Sequence, residues 1–147
     1  MRSRILVLLG ALTTILIVAA PVAAATGGGP GGVLITVNPT GNVSSGTATI
    51  SGTIACSPLW TSAPVGVFGD ASLTQPVGRL HAVNGDAQIN LTINDCSAPT
   101  AWQETVVPFN GRYAAGTAYV QVSVFGCDQV GNCDQGSLTA VIKLKAH

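Results

Sequence analysis

Four cysteines, Cys56, Cys96, Cys127 and Cys133, lie downstream of an apolar N-terminal stretch. An even set of cysteines in a short exported chain reads as a disulfide framework, so the fold must bring these positions together in pairs. The alternatives fail on spacing. A redox thiol needs a Cys-x-x-Cys arrangement, and Cys127 and Cys133 are too far apart for one. A zinc site needs His, Cys or carboxylate clusters, and none is left once the cysteines are bridged. All four are read as structural.

Arg2 and Arg4 open the chain, an uncharged apolar run covers 5–20, and Pro21 ends it ahead of Val22, Ala23, Ala24 and Ala25. That is the order of a secretory signal peptide. The expected organisation is a leader over 1–25, cleaved after Ala25, a Gly-rich flexible tether over 26–32, and one domain over 33–147. The expected location is secreted, by bacterial export. No second apolar run follows, so no membrane insertion is expected after leader removal. About 122 residues then remain, a common single-domain length. Arg79, Arg112, Lys143 and Lys145 stand there against Asp70, Asp86, Asp95, Glu104, Asp128 and Asp134. So few cations leave no electrostatic footprint for nucleic acid or anionic lipid.

Alternation of two dominates the body, and no helical period competes with it. Over 47–56, Ala48, Ile50, Gly52, Ile54 and Cys56 share one face and Thr47, Thr49, Ser51 and Thr53 the other. Further strands are expected over 33–38, 64–73, 86–94, 102–107, 117–125 and 137–145. The segment 64–73 sets Val65, Val67 and Leu73 on one parity and Phe68 on the other. The segment 117–125 sets Ala118, Val120, Val122 and Val124 inside. Leu138, Ala140, Ile142 and Leu144 do the same over 137–145. Turns are expected at 39–42, Asn84-Gly85, Asn110-Gly111 and Gly131-Asn132. About seven short antiparallel strands predict an all-β, immunoglobulin-like sandwich with two disulfides.

Four cysteines allow three connectivities. Cys127 and Cys133 flank a hairpin turn, where strand ends are close. Cys56 ends one strand and Cys96 follows another, so they meet only if a single strand separates theirs. That requires 64–83 to act as one long strand; a separate strand over 77–83, turned at Asn84-Gly85, would send Cys96 to the far pole. The favoured pairing is Cys56–Cys96 with Cys127–Cys133.

Asp128-x-x-Gly131-Asn132, between the Val strand and the final Leu/Ile strand, resembles the last hairpin of bacterial Ig-like domains. The run 115–120 (AGTAYV) is similar to the corner entering the penultimate strand of fibronectin-type modules. Ser51-Gly52-Thr53-x-x-Cys56, with Cys96 and Trp102, resembles a group of small secreted bacterial Ig-like domains of unknown function. Val122-x-Val124 followed by the same hairpin is more weakly similar to the apoproteins that carry enediyne antibiotics. These are fold motifs, and no ligand-binding residue is carried over from them.

No catalytic residue is expected. His81 is the sole histidine of the body, His147 being terminal, and no Gly-x-Ser-x-Gly elbow accompanies it. Nothing selects a carboxylate pair for glycosidase chemistry. Asp128, Asn132 and Asp134, with Asp95, put oxygen side chains at one end of the domain. They fall short of a full calcium ligand set, so no metal or cofactor is expected; Asp128 and Asn132 also suit turn hydrogen bonding. Trp60 and Trp102 each follow a cysteine. They suit either packing over a disulfide as core residues or an aromatic platform for recognition. The candidate binding pole is therefore Trp60, Asp95, Trp102, Asp128, Asn132 and Asp134. The expected function is a secreted, non-enzymatic interaction or structural module whose partner is an extracellular protein, a glycan or a small molecule. The alternative is a small-molecule carrier with its ligand in a cleft of the sandwich.

Overall fold

The computed structural model describes residues 25–27 and 32–147. The expected leader, apart from Ala25, and residues 28–31 of the expected tether lie outside the described residues. The strands are β1 (Ala25–Gly27), β2 (Leu34–Val37), β3 (Thr40–Ser44), β4 (Thr47–Ala55), β5 (Val65–Val77), β6 (His81–Ile93), β7 (Thr100–Pro108), β8 (Gly116–Cys127) and β9 (Cys133–Ala146). Thr26 and Gly27, placed in the tether by sequence, pair with Thr36 and Ile35 of β2.

The all-β expectation holds, but the open Ig-like sandwich does not. The sheet closes into a seven-stranded barrel, running β3–β4–β7–β6–β5–β8–β9 and back to β3. Two joints make the closure. At the first, the opening strand breaks at Asn38-Pro39, and its two halves share one edge of β4: β2 pairs with residues 52–55 and β3 with residues 47–49. The break frees β3 to run parallel to β9 over Thr40–Val43, and Lys143 N–H donates to the Pro39 carbonyl at 2.9 Å. Proline, with no N–H of its own, fits where the chain leaves one ladder for another.

The second joint falls on a residue expected in a turn. Asn84 and Gly85 lie inside β6, paired with Thr74 and Leu73 of β5. The hairpin turns instead at residues 78–80, where Gly78 takes φ +65°. Gly85 is needed for contact: a Cβ there would collide with the Val107 carbonyl oxygen and come within 2.7 Å of the Tyr113 hydroxyl. This close approach lets Gly85 and Asp86 pair with Pro108 and Val107, the whole of the β6–β7 ladder. Asn110 reinforces it, accepting from Asn84 N–H and donating to the Ala82 carbonyl, both at 2.9 Å.

The alternating strands bury the faces expected of them. Ala48, Ile50 and Ile54 of β4, Val120 and Val122 of β8, and Ile142 and Leu144 of β9 meet in one continuous apolar cluster. Tyr113 is buried beneath the β6–β7 joint and donates to the Leu73 carbonyl at 3.0 Å. Burial, with the charge of Asp86 adding to it, pushes its hydroxyl up to about 12. Gln75 clips the next residue from both sides, donating to Ala114 O at 2.7 Å and accepting from Ala114 N–H at 2.9 Å.

Both disulfides form as favoured. Cys56–Cys96 joins Cα atoms 5.4 Å apart, and Cys127–Cys133 joins Cα atoms 4.1 Å apart. One strand, β5, lies between β4 and β6, so the required alternation of direction is met. Two disulfides place the folded protein in an oxidising environment.

Candidate functional site

The predicted pole exists as a place. The ends of β4, β6 and β8 and the starts of β5, β7 and β9 gather there, and both disulfides brace it. Its side chains, however, are turned to holding the loops together. Asp128 is 6 % exposed, and its carboxylate accepts from every side. Oδ1 takes Asn132 N–H at 2.8 Å and Val130 N–H at 3.1 Å. Oδ2 takes Thr61 N–H and the Asn132 amide, both at 2.9 Å, and Ser62 N–H at 3.3 Å. Asn132 also donates to the Thr61 hydroxyl at 3.1 Å, and Ser57 donates a short hydrogen bond to Asp134. Asp95 turns back on its own loop, accepting from Ser97 Oγ at 2.7 Å and Ser97 N–H at 2.8 Å; these bonds lower its pKa.

Burial on its own would raise the Asp128 pKa, but the Asn132 amide and the N–H groups of Thr61, Asn132 and Val130 outweigh it and hold the carboxyl well below the usual range. A carboxylate ringed by N–H donors is a loop fastener and offers no lone pair to a cation. No group of three or more His, Cys, Asp or Glu that could hold a metal occurs among the described residues. The sign of the pH effect follows. A depressed folded pKa stabilises the protein above the unfolded value, about 3.9 for aspartate, and this contribution is lost as pH falls through the folded value. Asp128→Asn is therefore expected to be less stable than wild type at neutral pH. The gap in urea midpoint should shrink progressively below about pH 4. A gap that stayed constant across that range would show that the charge of Asp128 does not fasten the loops.

Trp60 and Trp102 do not form a platform. They are 6 % and 4 % exposed, in the core cluster. Each occupies space left by a glycine on a facing strand. A Cβ on Gly126 would lie 2.7 Å from the Trp60 ring, and one on Gly52 would lie 2.9 Å from the Trp102 indole nitrogen. Neither indole N–H has a hydrogen-bond partner among the described residues. The ring's large apolar area is buried at the cost of one unpaired donor, about 1–3 kcal/mol, which burial of so large a ring offsets. His81 is exposed beside the 78–80 turn, with no hydrogen bond to a serine or carboxylate among the described residues.

A concave surface lies elsewhere, on the outer face of β5, β8 and β9. A groove of about 450 Å³ is lined by Phe68, Gly69 and Asp70, by Ser123, Val124 and Phe125, and by Gln135, Gly136 and Ser137. Register explains its shape. Phe68 pairs with Phe125, and Phe125 with Gln135, forming one outward row. Asp70, Ser123 and Ser137 form the next, two residues further along β5. Gly69, Val124 and Gly136 lie between the rows. Small serines beside bulky rings leave the depression. Phe68 and Phe125 are 56 % and 50 % exposed. Asp70 makes no hydrogen bond or ion pair among the described residues, and the side chains of Ser123, Gln135 and Ser137 are equally unengaged. The solvent parity of Phe68 is visible in the sequence. Its pairing with Phe125 is a fact of register between residues 57 apart in the sequence.

Comparison with protein-family models, with curated proteins and with solved structures finds no match for this chain.

Proposed function

We propose that the protein is an exported, non-enzymatic binding module that holds a small organic ligand in the groove on β5, β8 and β9. Export is supported by the two disulfides and by the leader-like order of residues 1–25. Among the described residues no serine or carboxylate is bonded to His81, which supports a role without catalysis. The observation behind the binding reading is the Phe68–Phe125 pair. Two large rings stand side by side in solvent beside polar side chains that have no partners among the described residues. Exposed aromatic groups around a concavity, with a few free polar groups, are what a ligand site needs. The barrel interior is filled by side chains, so the cleft lies outside it rather than between layers.

The test is a fragment screen by amide chemical shifts on the labelled, oxidised protein. Shifts should cluster around Phe68, Asp70, Phe125 and Gln135, and the double substitution Phe68→Ser with Phe125→Ser should abolish them without altering the fold. Fragments that perturb nothing, or that perturb only the 57–62 and 128–134 loops, would reject the groove.

A further inference from the structure

We propose that the groove selects an organic cation, with a flat ring against Phe68 and Phe125 and a positive group on Asp70. This rests on the groove being the binding site and adds the chemistry of its ligand. The two features are set apart by the sheet itself. Rows two residues apart on one strand are separated by about 7 Å, so rings and carboxylate are offered at a fixed spacing. Phe68 leans away from Asp70, its ring 3.4 Å from where a Cβ on Gly66 would stand, which leaves the floor between the rows open.

The charge distribution decides the sign. Asp70 has no cationic partner among the described residues, and no lysine or arginine lines the groove. The nearest cation on the same face of β9 is Lys143, six residues beyond Ser137 and so about 20 Å along the strand. Arg112 is committed elsewhere, lying beside Gly46, and Arg79 sits in the 78–80 turn. A second carboxylate strengthens the field. Asp86 pairs with Ser72, and Asp70 with Gln88, so the two acids are diagonal neighbours on one exposed face. Diagonal neighbours of this kind stand about 7–8 Å apart. A cation entering the groove meets one carboxylate directly and a second within a Debye length, with two ring faces that also favour positive charge. An anion meets only repulsion.

The probe is an isosteric series: tryptamine, which is cationic, tryptophol, which is neutral, and indole-3-propionate, which is anionic. Binding is read by amide shifts and calorimetry on the oxidised wild-type protein. Tryptamine should bind roughly fivefold to tenfold tighter than tryptophol, the size expected for one partly exposed charge-assisted contact. Indole-3-propionate should bind weakest. Asp70→Asn, a substitution at an exposed side chain, should bring tryptamine down to the level of tryptophol and leave tryptophol unchanged. If tryptophol and tryptamine bind alike to wild type, or Asp70→Asn leaves their ratio intact, the cation preference is wrong while the groove survives as a binding site. If none of the three shifts an amide at Phe68, Asp70 or Phe125, both the preference and the groove are rejected.

Discussion

Replacing Cys56 and Cys96 together by serine should lower the unfolding free energy by about 4 kcal/mol, on the loop-closure model of a crosslink. The bridge spans 40 residues of sequence, and cutting it returns that loop entropy to the unfolded chain. The matching change at Cys127 and Cys133, which are 6 residues apart, should cost only about 2 kcal/mol. The larger loss also has a site. The bridge ties the end of β4 to the segment after β6, passing the start of β7. Without it, the β6–β7 seam is held by the Gly85–Pro108 and Asp86–Val107 pairs and by the hydrogen bonds that Phe109 and Asn110, just past β7, make to β6. Urea titration of both double variants gives the energies, and amide exchange in the Cys56/Cys96 variant should quicken first along β6 and β7. If the short bridge proved as costly as the long one, loop entropy would not be what the crosslinks supply.

Trp60→Ala should cost about 3–5 kcal/mol, the range for emptying a buried large aromatic site. The residue sits in a loop, where a change to alanine would otherwise be mild. Its burial against Gly126 makes the difference. The complementary change, Gly126→Ala, should cost about 1–3 kcal/mol, because the added methyl enters space already held by the ring. Thermal melts measure both. Trp60 fluorescence, read in a Trp102→Phe background, should also be blue-shifted and poorly quenched by iodide. A Trp60→Ala variant within about 0.5 kcal/mol of wild type would show that the indole is a surface group after all.

Strand identity was legible in the sequence because it is local. The alternation of Ala48, Ile50 and Ile54, or of Ala118, Val120, Val122 and Val124, survives intact in the burial of β4 and β8. The cysteine pairing was legible because strands alternate direction, so a count of intervening strands decides which ends meet. Closure was not. Asn84-Gly85 is strong hairpin chemistry, but here Gly85 serves a contact with Val107, a partner more than twenty residues away. The same holds for Trp60, whose burial depends on the missing side chain of Gly126. It holds for the groove as well, since Phe68 and Phe125 become neighbours only through the β5–β8 register. Asp128 stood in the candidate binding pole because a carboxylate reads as available until its donors are known; those at Val130 and Asn132 are the turn bonds its sequence suits, and those at Thr61 and Ser62 come from a distant loop.

The β6–β7 joint gives the ring a clasp. Every other junction of the barrel is a ladder of at least three residue pairs, and the β5–β8 and β8–β9 ladders, which carry the groove, are among the longest. Once the Cys56–Cys96 bridge is reduced, the cylinder should therefore unfasten at Gly85 and Asp86 under tension or at an elevated temperature and unroll as a ribbon. The groove is carried on β5, β8 and β9; its Phe68–Phe125 row is held by the two long ladders, while Asp70 on β5 is a diagonal neighbour of Asp86 at the fastening. The Phe68–Phe125 row should keep its contour while the clasp breathes, so that the aromatic contact outlasts the second carboxylate's share of the field.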